Sequence, residues 1–340
     1  MSEIEKLEFM VNERRNRENE LTIDEKELYK KIQTKTAKGN LDNISRTMSY
    51  ANFYRRHQEI RWSFLASMVS RNAGWNMTDL EGEWFPKILG KKERNVLFNT
   101  YERANWLIFS DAFPQLLVYE YSKKLGKPFF HILKMFSVSR FIEIEWEYYW
   151  RHREGNRLVT AQIINEQNII QKPVIEHPFY KKRVFQRFFY NLQDSLHFSS
   201  VIFPTLEGKL FGFSVHEFTK LNERIELGKK LAALLFHDRY YDFFIRFSNN
   251  VEHTGSRYDY ERYIKERRFR NTPFLRTTFP IIKHARAKPV DWYIGKRKER
   301  WFNEVELNEN QFELTNWYLT KQKQIQAGIL IEELLRKNKG

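Results

Sequence analysis

Three residues come close to the catalytic pattern of a metal-dependent nuclease. Asp194 is followed by Glu207 and Lys209. In nucleases with a restriction-endonuclease core, such carboxylates hold a divalent cation while the lysine stabilises charge at the attacking water. That pattern belongs on a central strand, whereas Gly208 between the last two residues indicates a turn. We therefore expect a plain hairpin turn here, and a metal-dependent nuclease stays an alternative function.

Two short polar stretches could line a site. In SRNAGWNMTDLEG, residues 70–82, Gly74 predicts the end of a helix, because glycine adopts the left-handed conformation that often terminates helices. The stretch is then a tight corner, with Thr78 and Glu81 capping the next helix. In EHTGSRYD, residues 252–259, short polar side chains around a glycine predict a loop that binds a ligand or caps a helix. The candidate polar site consists of Asn72, Asn76, His253 and Ser256.

Glu143 and Glu147 lie one helical turn apart, as a pair of catalytic carboxylates can. Arg151 follows Glu147 by one further turn on the same face, which is the favourable order for an ion pair within a helix. The sequence therefore predicts a solvated ion-pair face at these residues rather than a catalytic pair.

Other catalytic, metal-binding and cofactor-binding motifs do not occur. The nine histidines form neither a His-Glu-x-x-His nor a Glu-x-x-His pattern. The chain has no cysteine, which excludes thiolate ligands, disulfides and cysteine nucleophiles. Glycine-rich nucleotide-binding loops and the G-x-S-x-G signature are absent as well. We therefore predict no metal and no cofactor, and the sequence favours a binding protein over an enzyme.

The most polarised part of the sequence is residues 257–300, where Lys and Arg exceed Asp and Glu and aromatic residues interleave with the cations. Cations that contact phosphates beside rings that stack on bases are typical of single-stranded nucleic-acid binding. The whole chain carries 58 Lys and Arg against 43 Asp and Glu, a formal net charge of +15, which attracts polyanions. The candidate binding residues are Arg257, Tyr258, Arg262, Lys265, Arg267, Arg268 and Arg270.

The leading functional prediction is therefore a basic helical binding protein for a polyanion such as nucleic acid. A further alternative is a scaffold for an acidic protein partner or for an anionic membrane surface, since either would use the same charge. No apolar stretch reaches the roughly 18 residues that a spanning helix needs. The charged amino-terminal stretch lacks the apolar core of a secretory signal. We expect a cytoplasmic protein without transmembrane segments.

Apolar residues recur at helical spacing along most of the chain and predict an all-α fold, a multi-helix globular bundle. The clearest helix is predicted at 215–236, from a capping box that begins at Ser214, with Gly228 allowing another helix to approach closely. Two stretches break the helical pattern. A small β-hairpin is predicted near 198–215, and an irregular, proline-containing segment at 271–295.

Residues 1–40 are rich in both charges and poor in aromatics, which predicts a charged helical arm. Residues 41–340 carry the apolar pattern of a single helical domain, and QKPVIEHP near residue 172 is a weak candidate for a subdivision. A chain of 340 residues, of which 41% are hydrophobic, is long enough to bury a core of this size.

The stretch NISRTMSYANFYRRHQEIRWSFLASMVSRNAGWNMTDL, residues 43–80, resembles the YppC-like family of uncharacterised proteins from Bacillus and related Firmicutes. LGKKLAALLF and EHTGSRYDYERY extend the resemblance to about residues 40–300. Because that family has no established activity, cofactor or catalytic residue, the resemblance implies none for this chain.

Overall fold

The fold is built mostly from α-helices, as the sequence predicts. The structure is a computed structural model that describes residues 2–16, 21–185, 200–214, 217–265, 271–285, 291–295, 298–307 and 312–337. The strands of the described residues form one two-stranded antiparallel sheet. The predicted fold class, a helical protein with a small hairpin, is confirmed.

The first four helices contribute to the main core. They are α1 (Glu3–Asn16), α2 (Ile23–Gly39), α3 (Asn43–Arg56) and α4 (Trp62–Asp79). Thr22 and Glu25 form a capping box at the start of α2, each side chain accepting from the backbone N–H of the other residue. Leu7 and Val11 of α1 and Ile32 of α2 are fully buried. The two charged amino-terminal helices therefore pack on the rest of the protein through their apolar faces.

Short side chains let α3 and α4 approach closely. The Thr47 hydroxyl of α3 lies 2.7 Å from the Ser70 hydroxyl of α4. The Ser67 hydroxyl donates to the backbone carbonyl of Thr47. These bonds satisfy buried hydroxyl groups across the contact, as a buried polar group requires. α4 also carries Asn72 and Asn76, two of the candidate polar residues, and both are buried.

The middle of the chain packs against α4 through α6 and α8. It contains α5 (Phe85–Ile88), α6 (Lys91–Leu125), α7 (Arg140–His152), α8 (Gly155–Ile170) and α9 (Pro178–Tyr180), with a 3-10 helix at Phe130–Phe136 and π-helical turns at Gln171–Ile175 and Lys181–Phe185. α6 is 35 residues long and includes Pro114, which has no backbone N–H to donate. α8 also contacts α7, so it lies near the centre of the bundle.

The predicted hairpin is confirmed and consists of β1 (Ser200–Pro204) and β2 (Leu210–Ser214). Gly208 in the connecting turn has a φ of +77°, a conformation that favours glycine. A Cβ at this position would overlap the backbone oxygen of Tyr263, so the turn packs directly on that residue. Ser214 does not start a helix as predicted, because it ends β2 and its hydroxyl lies 2.7 Å from that of Ser200 across the hairpin.

The carboxyl-terminal part supplies α10 (Leu221–Leu235), α11 (Tyr241–Asn250), α12 (Tyr258–Glu261), α13 (Leu275–Thr278), a second 3-10 helix at Glu299–Phe302, and α14 (Thr315–Lys337). α10 begins after Lys220, later than predicted. The predicted close approach at Gly228 is confirmed, because a Cβ there would lie 2.6 Å from Cγ2 of Ile163 in α8. In the described parts of 271–295 the chain is irregular apart from the single turn α13.

Two clusters of buried apolar side chains hold these elements together. The larger cluster extends from α1 to α14 and includes Trp62 and Trp146. The smaller cluster includes Phe85 of α5, Leu97 of α6 and Ile325 of α14. Among the helices that the structure describes, none is long and apolar enough to cross a membrane.

Candidate functional site

α4 continues through the stretch that the sequence predicts to be a corner. It runs from Trp62 to Asp79, so the predicted helix end at Gly74 is wrong. A Cβ at Gly74 would overlap the side-chain oxygen of Asn43 and lie 2.8 Å from Nε2 of His253. The glycine therefore marks a close approach of two other elements to a continuous helix, and not a turn. The polar residues on both sides of it lie within that helix.

A group of buried polar residues, the Arg257 cluster, lies where α3, α4 and the loop into α12 meet. It consists of Asn43, Asn76, Asp79, His253, Arg257 and Asp259. The guanidinium of Arg257 donates to Oδ2 of Asp79 at 2.7 Å and to Oδ1 of Asn76 at 2.7 Å. It also donates to the hydroxyl of Tyr260 at 2.6 Å. Burial disfavours the charged form and acts to lower the pKa of Arg257, but Asp79, Tyr260 and Tyr318 together outweigh it and raise that pKa. Arg257 is therefore an interior cation with its countercharge beside it.

His253 joins α3 to the loop before α12. Its Nε2 lies 2.7 Å from Oδ1 of Asn43, and its Nδ1 lies 3.3 Å from Oδ2 of Asp259. The amide nitrogen of Asn43 donates to the carbonyl of Ser70, so the amide oxygen faces the His253 ring. Burial lowers the pKa of His253, and Asp259 opposes that effect. Asp259 in turn accepts from Nε1 of Trp75 at 3.0 Å, which ties the loop to α4 as well.

The structure brings three of the four candidate polar residues together. Asn76 and His253 belong to the Arg257 cluster, and Ser256 in the same loop donates to the backbone oxygen of Thr272 at 2.8 Å. Asn72 points elsewhere, since its amide donates to a carbonyl of β1 at 3.4 Å. The side-chain oxygen of Asn72 is buried and has no hydrogen-bond partner among the described residues.

The Arg257 cluster is closed to solvent, since its members are between 0% and 4% exposed. Its side chains are bonded to neighbouring groups in the interior, so the cluster exposes no surface to a partner in this structure. The Arg257 cluster holds the loop before α12 against α3 and α4 through an ion pair and hydrogen bonds. Removing one partner from such a buried network is strongly destabilising, because the other partner keeps its desolvation cost. We therefore assign the cluster a structural role.

The other candidate binding residues divide between surface and interior. Arg262 and Lys265 are exposed, and so is Tyr258, whose ring centroid lies 5.6 Å from the Arg262 guanidinium. Arg257 is buried and paired, so a polyanion cannot contact it. Tyr260, one of the interleaved aromatic residues, is buried as well. The remaining candidates, Arg267, Arg268 and Arg270, lie outside the described residues.

The nuclease-like residues at 207–209 form the turn of the hairpin. Oε1 of Glu207 accepts from Arg246 at 2.6 Å, and Nζ of Lys209 pairs with Oε2 of Glu313 at 3.1 Å. These ion pairs bind the two side chains to different elements. Asp194 lies outside the described residues. In the described part of the chain, no three or more His, Cys, Asp or Glu side chains lie close enough together to hold a metal ion.

Glu143 and Glu147 are buried, so the predicted solvated face with Arg151 is wrong. Arg14 of α1 donates to Glu143 at 3.3 Å and to Glu147 at 2.8 Å. Arg15 donates to Glu143 at 2.7 Å, while Arg151 pairs with a glutamate of α1 instead. Burial raises the pKa of Glu143 in spite of these cations. The packing of α1 on α7, which local helix spacing does not reveal, covers both carboxylates.

An open pocket, the Arg61 pocket, lies between the start of α4, the start of α8, α10 and the segment that follows the second 3-10 helix. Its volume is about 450 Å³. Its apolar lining consists of Val159, Ile163, Ala232, Ala233, Phe236, Phe302 and Val305. Its polar lining consists of Arg61, Asn156, Arg157, Thr160, Lys229, Asn303 and Glu304. Small-molecule sites typically measure about 300–1,000 Å³ and combine apolar walls with a few polar groups, so the pocket resembles them.

Three cations from three elements converge on the Arg61 pocket. Arg61 precedes α4 and donates to Oδ1 of Asn156 at 3.2 Å. Arg157 in the first turn of α8 donates to Glu145 through Nε and Nη2, which leaves Nη1 for another acceptor. Nζ of Lys229 in α10 donates at 2.8 Å to a backbone carbonyl of the segment that closes the pocket. Each cation can therefore offer a further hydrogen to an anion.

The amino end of α8 adds positive potential to the Arg61 pocket. Asn156, Arg157 and Thr160 in its first turns line the pocket. The residue before the helix, Glu154, makes no capping bond, and its carboxylate accepts from a tyrosine hydroxyl instead. The first N–H groups of an uncapped helix favour an anion. Glu304 is the one carboxylate among the described lining residues, while Glu145 pairs with Arg157 and Glu226 lies 3.4 Å from Lys229 outside that lining.

Sequence reasoning missed the Arg61 pocket because its cations are far apart along the chain. Lys229 gives one local signal, since it follows Gly228 on the side of α10 that is buried, and lysine is rarely buried without a partner. Nothing in the sequence around Arg61 distinguishes it from the many other arginines. The pocket therefore becomes visible only after the helices are packed.

The chain matches the model of a protein family over most of its length. The match covers residues 38–319, and the family is described as "Protein of unknown function (DUF2515)". The chain is 48% identical over 313 residues to the uncharacterized protein YppC of Bacillus subtilis (strain 168), and the alignment covers 92% of this chain and 97% of that protein. No solved structure matches. The resemblance predicted from residues 43–80 is confirmed.

Proposed function

The chain belongs to the DUF2515 family of proteins of unknown function, and we propose from its geometry that it is a binding protein for anionic ligands. The Arg61 pocket is the proposed site. Its ligand is an amphipathic anion with a phosphate or carboxylate head and a short apolar body. The observation that carries this proposal is the convergence of Arg61, Arg157 and Lys229, from three elements, on one pocket with an apolar floor.

The head group binds between the cations of the Arg61 pocket. Charge-assisted hydrogen bonds from arginine or lysine to phosphate are roughly twice as strong as neutral ones. The side chain of Lys229 is 8% exposed, so its ammonium attracts an anion with little screening by water. The nearest carboxylate, Glu226, lies 3.4 Å from that ammonium and is itself 42% exposed. Lys229 is thus the most shielded of the proposed ligand-binding cations.

The apolar body lies on the floor of the Arg61 pocket. Ala233 of α10 and Phe236 just after that helix are partly exposed and line it. Each buried methylene contributes about 0.8 kcal/mol to affinity, so an alkyl chain should strengthen the binding of the head group. The proposal therefore distinguishes an amphipathic anion from a free inorganic anion and from a neutral alcohol.

We expect octyl phosphate to raise the melting temperature of the protein, and inorganic phosphate and 1-octanol to raise it much less. Octyl phosphate can contact both the cations and the apolar floor. Inorganic phosphate can contact only the cations, and 1-octanol lacks the charge that the cations bind. A ligand present at about a hundred times its Kd stabilises the folded state by about 2.7 kcal/mol. Differential scanning fluorimetry over a range of concentrations measures the shift.

Two substitutions test the position of the octyl phosphate site. Arg61→Ala removes one of the three cations, and Lys229→Met removes a second while keeping most of the side-chain volume. Each should weaken octyl phosphate binding about ten- to a hundredfold, because a hydrogen bond to a charged group contributes about 1.5–3 kcal/mol. Arg55→Ala, at an exposed arginine of α3 outside the pocket, is the matched control. Equal affinity in the Arg61 and Arg55 variants would contradict the proposed site.

Binding of a polyanion such as nucleic acid is a second proposed function. Its support is a surface group on α12 and after it: Arg262 and Lys265 are exposed, and the Arg262 guanidinium lies 5.6 Å from the ring of exposed Tyr258. A ring with cations beside it suits base stacking together with phosphate contacts. The net charge of +15 adds a general attraction for such a polymer.

We expect a fluorescent single-stranded oligonucleotide to bind with an affinity that falls as salt rises. Each phosphate contact contributes about 0.7 to the slope of log K against log salt for single strands, so alanine at both Arg262 and Lys265 should reduce the slope by about 1.4. Fluorescence anisotropy at several salt concentrations gives the slope, with Arg55→Ala as control and duplex DNA as a comparison. An unchanged slope in the double variant, or no binding at low salt, would exclude this surface.

A further inference from the structure

A second cavity, the Trp106 groove, lies between α2, α6 and the segment 281–284, and its volume is about 650 Å³. Aromatic rings form much of its lining. Tyr29 of α2 and Phe136 have ring centroids 4.8 Å apart, and Trp106 of α6 and His284 have ring centroids 5.2 Å apart. Two aromatic pairs in one groove offer ring faces and edges to a planar ligand. The described lining residues include none of those of the Arg61 pocket.

Two polar atoms of residues that line the Trp106 groove could accept a hydrogen bond from a ligand. Pro114 in α6 has no N–H, so the carbonyl of Ser110, one turn before, loses its usual helical hydrogen bond. The hydroxyl oxygen of Thr36 in α2 is buried and has no hydrogen-bond partner among the described residues. All three residues line the groove. An unpartnered polar atom in a residue that lines a cavity, beside a carbonyl that has lost its helical donor, indicates a place for a ligand group.

The charges of the Trp106 groove disfavour a cationic ligand. Lys283 and His284 line it, and none of its described lining residues is a carboxylate. Behind His284, Oε1 of Glu102 lies 3.7 Å from Nε2 of the ring, and the same carboxylate is paired with buried Arg46. Arg46 therefore neutralises Glu102, so this carboxylate does not attract a cation into the groove.

We propose that the Trp106 groove binds a neutral, planar aromatic compound that carries one N–H or O–H donor. The ring packs against Trp106 and its aromatic neighbours, and the donor bonds to the carbonyl of Ser110 or to the hydroxyl oxygen of Thr36. This site is independent of the proposed anion site, because its ligand is uncharged and its lining comes from other elements.

Isothermal titration calorimetry with indole as the probe tests the groove, and 1-methylindole is the matched compound without the donor. We expect indole to bind with a stoichiometry of one, and 1-methylindole to bind about three- to tenfold more weakly, because it cannot donate a hydrogen bond. Trp106→Ala should weaken indole binding at least about tenfold, through loss of the ring contact. Thr36→Val, which keeps the side-chain shape, should weaken it about threefold.

Arg61→Ala is the control for the indole titration and should leave the indole affinity unchanged. Loss of indole binding in that variant would place the compound in the Arg61 pocket and overturn the proposal. Absence of binding up to the solubility limit of indole, or equal indole affinity in the wild type and in both groove variants, would overturn it too. A circular dichroism melt of each variant verifies folding, and Thr36→Val provides a conservative second variant if Trp106→Ala does not fold.

Discussion

Replacing Arg257 by alanine should lower the free energy of unfolding by about 3–5 kcal/mol. The guanidinium bonds to Asp79, Asn76 and Tyr260 in the interior. Its loss removes the cation that compensates the buried carboxylate of Asp79, and the space of the lost side chain adds a cavity cost. Urea unfolding followed by circular dichroism measures the change, provided that both proteins unfold in a two-state transition.

Arg262→Ala is the matched control for the Arg257 variant, since Arg262 is an exposed arginine on the same short stretch. Its substitution should change the free energy of unfolding by no more than about 0.5 kcal/mol. Adding Asp79→Asn to Arg257→Ala should recover part of the loss, because the buried negative charge then disappears together with its partner. A loss below about 1 kcal/mol in the Arg257 variant would contradict the structural role of the cluster.

Replacing Gly74 by alanine should destabilise the protein by about 1–3 kcal/mol, although alanine is intrinsically the better helix former by about 1 kcal/mol. The new Cβ would overlap the side-chain oxygen of Asn43 and lie 2.8 Å from Nε2 of His253. Both groups would have to move, and the 2.7 Å bond between them would be disturbed. The steric cost in a buried network therefore exceeds the gain in helix propensity.

Gly328→Ala in α14 is the control that isolates this steric effect. Gly328 also lies inside a helix, but a Cβ there would have no heavy atom within 4 Å outside the helix's own backbone. That substitution should stabilise the protein by about 0.5–1 kcal/mol through helix propensity alone. If thermal unfolding shows that alanine stabilises both positions alike, the close approach at Gly74 is wrong.

The parts of the fold that sequence predicts correctly depend on local patterns. Helical spacing of apolar residues gives the mostly α-helical class, and the β-prone run around Gly208 gives the hairpin. Gly74 shows where local patterns mislead. A glycine before a polar stretch favours a helix end in isolation, but here Asn43 and His253, both distant in sequence, occupy the space that a side chain would need.

For the candidate site residues too, local sequence patterns predict some features, and contacts between distant parts of the chain determine the others. Short polar residues at 252–259 predicted a polar site, and the structure buries Asn76 and His253 in the Arg257 cluster, where they bond to Arg257 and to Asn43. The local excess of cations predicted that Arg257 lies at the surface. A count of charges cannot show which cation pairs with a carboxylate that is distant in sequence. The cations of the Arg61 pocket come from three separate helices or their flanks, so only tertiary packing brings them together.

The most direct test of the central claim, that the Arg61 pocket binds an amphipathic anion, is a crystal structure of the protein with octyl phosphate. We predict that the phosphate lies within hydrogen-bond distance of Arg61 and Lys229, with the alkyl chain on Ala233 and Phe236. A phosphate bound at Arg262 and Lys265 instead, or a crystal with the ligand in excess and the Arg61 pocket empty, would contradict the claim.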